Sequence, residues 1–84
     1  MIVYVVKTIQ YDYHDYVDVY GVYSNLALAG HAAMQYINDN SSTIITFTRS
    51  EESWGYLLDL EFRDNHGSWW QYGQIEIIRV TVNE

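Results

Sequence analysis

Acidic side chains that could bind metal ions or take part in catalysis are concentrated in two segments of this chain. Residues 11–18 have the sequence Tyr-Asp-Tyr-His-Asp-Tyr-Val-Asp, which places Asp12, Asp15 and Asp18 at intervals of three. On a helix these carboxylates would share one face, but on a strand Asp15 would point away from the other two. The spacing also lacks the alternating acids, the glycine and the closing glutamate of a calcium loop. We therefore interpret these residues as solvated loop carboxylates and predict no metal site.

The second acidic segment, residues 51–64, contains a single base, Arg63. Its carboxylates are Glu51, Glu52, Asp59, Glu61 and Asp64. Glycoside hydrolysis and similar acid–base chemistry need paired carboxylates in a pocket that shifts their pKa values. Glu51 and Glu52 are adjacent in sequence, whereas Asp59 and Glu61 lie two apart on the predicted outward face of a strand. Both pairs are typical of solvated surfaces.

No other catalytic pattern is present in the sequence. His14, His31 and His66 share no metal-binding spacing, and the chain has no phosphate-cradling loop, nucleophile elbow or H-E-x-x-H motif. It has no cysteine, which excludes disulfides, thiol catalysis and cysteine-bound zinc. We therefore predict a protein that is not an enzyme and needs no cofactor.

The charge balance restricts the class of partner. With 4 Lys and Arg against 11 Asp and Glu, the formal net charge is −7. Nucleic-acid binding depends on basic residues that neutralise phosphates, so we predict no direct binding to nucleic acid and no attraction to an anionic membrane. The chain has no run of about 20 apolar residues and no basic-led signal segment, so we expect a cytoplasmic protein. An acidic balance suits a basic protein partner, a cation or no partner at all, and net charge of this size also keeps a small domain soluble.

Hydrophobic patterning predicts five strands and one helix. Runs of β-branched and alternating apolar residues predict strands at residues 1–10, 16–23, 42–49, 54–63 and 74–82. Good helix formers at 25–37, with Ser24 as N-cap and a stripe that begins at Leu26, predict the helix. Gly21 predicts a bulge or a close backbone approach. The change of apolar phase from Ile77 to Ile78 predicts a bulge, or a strand that is covered on both faces.

These elements predict an α+β fold in a single domain over residues 1–84. One helix would pack on a mostly antiparallel sheet of about five strands, in the order β-β-α-β-β-β, because this arrangement buries the apolar stripe of the helix.

Two further features indicate a binding surface. Aromatic residues make up 17% of the chain, and tyrosines crowd the region around the first acidic segment. Tyrosine supplies rigid contact area at interfaces, so Tyr13 and Tyr16 are predicted to contact a partner. Residues 19–38 contain no Asp, Glu, Lys or Arg, and the outer helix face, with Ala27, His31 and Met34, is only weakly polar. Such a face either contacts a second subunit or partner, which we favour, or is a weakly polar surface that the protein tolerates.

Three motifs carry a resemblance to a known family. Val-Tyr-Val-Val occurs at residues 3–6, Gly-Val-Tyr-Ser at 21–24 before an alanine-rich helix, and Gly-Gln-Ile-Glu-Ile-Ile-Arg-Val at 73–80. The chain resembles a family of small uncharacterised phage and bacterial domains, in which a strand leads through this turn to a helix and an Ile-Glu-x-x-x-Val strand follows. The resemblance implies an α+β fold and a phage or mobile-element origin. It implies no catalytic residues.

The leading hypothesis is a non-enzymatic inhibitor of a host nucleic-acid-binding or defence complex, in the manner of anti-CRISPR or anti-restriction proteins. Its carboxylates would occupy a basic site that is shaped for phosphates. The predicted partner-binding residues are Asp12, Tyr13, Asp15, Tyr16, Asp18, Glu51, Glu52, Asp59 and Glu61. The alternative is a homodimeric structural or assembly protein that pairs through the uncharged helix, at Ala27, His31 and Met34, or through an edge strand. A third class is a cation- or small-molecule-binding module that uses an aromatic cluster of Trp54, Trp69 and Trp70.

Overall fold

The structure is a computed structural model that describes residues 1–11, 16–44 and 46–83, with only the backbone of Tyr16. Its elements are β1 (Ile2–Gln10), β2 (Tyr16–Tyr23), α1 (Leu26–Asp39), β3 (Thr46–Glu52), β4 (Gly55–Arg63) and β5 (Trp69–Thr81). The predicted α+β class and the order β-β-α-β-β-β are confirmed.

All neighbouring strands are antiparallel, and their order across the sheet is β2-β1-β5-β4-β3. The helix lies against β1, β2 and β5 on one face of the sheet. Within the described residues its backbone does not approach β3 or β4. We call the side of the sheet that carries α1 the helix face, and the opposite side the open face.

The helix begins and ends one or two residues later than predicted. Its N-cap is Asn25 and not Ser24, because the Leu28 backbone N–H donates to Asn25 Oδ1 over 2.9 Å. It continues past residue 37 to Asp39, and the Asn40 side chain donates to the Tyr36 carbonyl oxygen over 2.8 Å. The predicted buried stripe is confirmed except at Leu26, which is exposed.

Small residues on the helix meet large residues on the sheet in the core. Val6, Leu60 and Ile75 are the largest fully buried side chains, and all three lie on the sheet. The helix contributes Ala29, Ala32, Ala33 and Ile37. Because alanine has a short side chain, the helix axis can lie close to the sheet and leave few voids.

Two bulges interrupt the strand pairing. In the first, Val6 pairs with Gly21 and Lys7 pairs with Val19, so Tyr20 has no opposite residue. The bulge predicted around Gly21 is therefore confirmed. In the second, Leu60 pairs with Gly73 and Glu61 pairs with Gln71, which leaves Tyr72 as the extra residue of β5.

Two predictions about the later strands are wrong. The pairing of β5 with β4 is regular at Ile77 and Ile78, so the change of apolar phase there does not mark a bulge. Ile78 and Val80 form the second apolar register, and Val80 is exposed, so the strand is not covered on both faces. The second register lies on the open face, where no helix covers it. The bounds also differ, because β3 starts at Thr46 instead of residue 42 and β5 starts at Trp69 instead of residue 74.

Candidate binding surfaces

The open face has an acidic half on β3, β4 and β5. Alternation along the strands places Asp59 and Glu61 of β4 opposite to the buried Leu58 and Leu60, and hence on the open face. Asp59 Oδ1 accepts hydrogen bonds from the side-chain amides of Gln74, over 2.8 Å, and Gln71, over 3.2 Å. The Asp59 carboxylate is therefore held in one position on the surface.

Two more carboxylates complete this acidic half. Glu76 of β5 lies in register with Leu57, which precedes Asp59 by two residues on β4. Glu52, at the end of β3, lies in register with Gly55. We define the acidic half by its carboxylates, which are Glu52, Asp59, Glu61 and Glu76. Glu76, Gln71 and Gln74 are not among the residues predicted from the sequence. The alternation of Ile75, Glu76 and Ile77 is the signal that could have placed Glu76 on the solvent side.

The other half of the open face is apolar. On the edge strand β2, Val17, Val19 and Val22 are 57%, 56% and 58% exposed. Val22 lies in register with the half-buried Val5 of β1, which in turn pairs with Ile78 of β5, whereas Val19 lies in register with Lys7. We call the set Val3, Val5, Val17, Val19, Val22, Ile78 and Val80 the valine patch. Exposed apolar surface of this kind, here with Lys7 at its border, is typical of a contact site.

The predicted partner-binding residues do not share one surface. Asp18 lies in register with Thr8, which is buried under the helix, so Asp18 is on the helix face at the β2 edge. Glu51 pairs with Tyr56 on the helix face at the opposite edge, β3. Glu52, Asp59 and Glu61 are together on the open face. Asp12, Tyr13 and Asp15 lie outside the described residues, as does the side chain of Tyr16.

The residues predicted for a dimer contact lie on the surface of α1. Ala27, His31 and Met34 are all exposed, and Met34 is 40% exposed. Met34 is turned toward the uncovered part of the sheet, where it lines a groove together with Phe47 and Tyr56.

The three tryptophans do not form the predicted cluster. Trp54 precedes β4, whereas Trp69 and Trp70 pair with Arg63 and Phe62 at the other end of that strand. Because each residue of a strand adds about 3.3 Å, nearly the whole length of β4 separates Trp54 from the other two tryptophans. The Trp70 indole Nε1–H donates to Asp64 Oδ2 over 2.7 Å, and the Arg63 guanidinium lies 5.8 Å from the centre of the Trp69 ring.

The turn at Asp64 predicts a specific pH dependence of stability. The bond from the Trp70 indole, followed by the backbone N–H groups of Ser68 and His66, holds the pKa of Asp64 below its ordinary value of 3.8. Because the pKa is lower in the folded chain, the ionised carboxylate stabilises the fold above pH 3.8, and this contribution is lost as the pH falls through the folded-state pKa. Asp64→Asn should therefore lower the urea midpoint near neutral pH, and its difference from wild type should shrink as the pH falls.

Asp39→Asn is the control for this measurement, since it removes one carboxylate away from the turn. If the urea midpoints of wild type and Asp64→Asn differ by the same amount at every pH, the assigned role of the turn is contradicted.

These surfaces define an α+β protein with a half-acidic and half-apolar open face. Among the described residues, no group of three or more His, Asp or Glu is placed to hold a metal ion. In the part of the chain that the structure describes, α1 is too short to cross a membrane. Comparison with known protein families, with curated proteins and with solved structures finds no match. The resemblance to small phage and bacterial domains stays a prediction.

Proposed function

We propose that this protein is a non-enzymatic acidic module that binds a protein whose basic surface normally holds nucleic acid. The observation that carries the proposal is the acidic half of the open face, in which the Asp59 carboxylate is held by two side-chain amides. A side chain that is already ordered loses less conformational freedom on binding than a free one. Asp59 is therefore a pre-positioned acceptor for a cationic side chain, and Glu61 lies two residues along β4 on the same face.

The charge of the whole chain supports this assignment. A net charge of −7 attracts a basic protein over a long range and raises its association rate, and it repels nucleic acid. Both effects favour a protein that competes with nucleic acid for the same basic site.

The valine patch supports protein binding rather than charge attraction alone. It adjoins the acidic half across β1, where Lys7 lies in register with Glu76. Specific interfaces combine an apolar centre with charged residues around it. A partner that covers both halves would bury the patch and place its basic residues on the carboxylates.

In its biological setting, the proposed role is that of a phage-type inhibitor. Acting in the cytoplasm of an infected or host cell, the protein would occupy a host nucleic-acid-binding or defence complex, in the manner of anti-CRISPR and anti-restriction proteins. The resemblance to phage and bacterial domains is consistent with such a role.

Charge reversal on the open face is the test of this proposal. The immobilised chain would capture proteins from a bacterial lysate, and the affinity of each captured protein would then be measured after purification. Asp59→Lys/Glu61→Lys is expected to weaken binding by about tenfold or more, equivalent to 1.4 kcal/mol. Wild-type affinity should also fall with added salt, because salt screens exposed charges.

Asp18→Lys/Glu51→Lys is the matched control, since it makes the same change in net charge on the helix face. The proposal would be supported if the control binds the captured protein with wild-type affinity and the open-face variant binds it more weakly. The captured protein must also lose its binding to nucleic acid when the wild-type chain is bound. Equal loss in both variants would show that only net charge matters. A wild-type chain that sediments as a dimer and captures nothing would favour the homodimeric alternative, paired through the edge strand β2.

A further inference from the structure

An open groove lies on the helix face, where α1 leaves β3 and β4 uncovered. Its volume is about 400 Å³, within the range of small-molecule sites in proteins. One wall comes from α1, with Gly30 and Met34, and the other comes from β3 and β4, with Phe47 and Leu58. The surface inside the groove is therefore mainly apolar, and it lies on the opposite side of the sheet from the acidic half.

The space beside Gly30 in the wall of the groove is open. A Cβ atom added at Gly30 would have no neighbour within 4 Å. The apolar side chains around this space remain accessible, with Met34 40% and Phe47 36% exposed. An apolar molecule placed here would remove both side chains from water, which is favourable.

One charged residue lines the groove, among the residues the structure describes, and it is basic. The Arg49 guanidinium lies 5.6 Å from the centre of the Tyr56 ring, which also lines the groove. Attraction between a cation and the face of an aromatic ring favours this position at the wall. A planar guanidinium in this place can donate paired hydrogen bonds to a carboxylate.

We propose that this groove binds a small apolar molecule that carries one carboxylate. The carboxylate would bind Arg49, and the hydrocarbon body would lie between α1 and the β3–β4 pair. Charge complementarity with Arg49 supports one carboxylate, whereas the net charge of −7 opposes every anion and opposes anions of higher charge more strongly. This site is independent of the open face.

Decanoate is the probe for the first experiment, with decanol and decyltrimethylammonium as uncharged and cationic analogues of the same length. Titrations followed by NMR should show saturable binding of decanoate, with shifts at Gly30 and Arg49. Arg49→Gln is expected to weaken decanoate binding by about tenfold and to leave decanol unchanged. Arg63→Gln is the matched control, since it removes the same charge beside Trp69 on the open face and should bind decanoate like wild type.

Gly30→Leu is the second variant, because the added side chain would extend from the groove wall and obstruct the space for a hydrocarbon chain. Leucine is a better helix former than glycine, so α1 should remain folded, and circular dichroism will verify this. Binding of both decanoate and decanol should be lost. Decanoate affinity that is unchanged in Arg49→Gln or in Gly30→Leu would overturn the proposal. So would a wild-type dimer in sedimentation that Gly30→Leu dissociates, since a second copy would then occupy the groove.

Discussion

Replacing Leu60 with alanine is expected to lower the free energy of unfolding by about 2–5 kcal/mol, in the range measured for buried leucines. Leu60 is fully buried, and it lies on the helix face of β4 within the main core cluster. Alanine would remove the buried methyl groups and leave a cavity, because a close-packed core relaxes only in part.

The size of this loss matters because the domain is small. A typical stability of about 0.05–0.15 kcal/mol per residue gives roughly 4–13 kcal/mol for a chain of this length. Leu60→Ala could therefore remove a large fraction of the total. Urea denaturation followed by circular dichroism would measure it.

Leu57→Ala is the matched control for Leu60→Ala. Leu57 lies on the open face of the same strand and is only half-buried, so its truncation should cost less than half as much. Equal losses at the two positions would show that the helix face does not hold the main core.

Gly73→Ala is expected to destabilise the fold by about 1–3 kcal/mol, the usual cost of forcing extra atoms into a packed site. A Cβ atom at residue 73 would lie 2.0 Å from the carbonyl oxygen of Ile9, which belongs to the backbone of β1. No side-chain rotation can relieve this contact. The central strand β5 and its neighbour β1 would have to move apart at the pair of Gln10 and Gly73.

Gly30→Ala makes the same chemical change with the opposite expected sign. The added Cβ meets nothing within 4 Å, and alanine is favoured over glycine inside a helix by roughly 0.5–1 kcal/mol. Thermal unfolding of both variants should therefore show a lower midpoint for Gly73→Ala and a higher one for Gly30→Ala. A lower midpoint for both would contradict the open position of Gly30.

Periodicity predicted the elements of this fold but not their bounds. Apolar residues recur at every second position from Tyr56 to Phe62, and β4 lies where this recurrence predicts. By contrast, the Ile44 backbone N–H donates to the Asn40 carbonyl oxygen, so Ile44 enters the core from a turn and β3 begins later than its β-branched residues suggest. The bulge at Tyr72 breaks the alternation of β5, which hides the first residues of that strand.

The sequence predicted the carboxylates of the candidate site, but not the face of the sheet on which each one lies. Alternation from Tyr23 without interruption would place Asp18 on the open face. The extra residue Tyr20 reverses the phase, and it moves Asp18 to the helix face and Val17 and Val19 to the open face. The change of apolar phase between Val19 and Val22 is the sequence signal that could have revealed it.

The pairing of β1 with β5 has a consequence for the order of folding. β5 is the central strand of the sheet and β1 lies beside it, yet residues that pair between them are as distant in sequence as Ile2 and Thr81. Closing so long a loop costs entropy before β1 and β5 can pair, which slows folding. During synthesis on the ribosome, the nascent chain would therefore complete its sheet only after the segment of β5 has emerged.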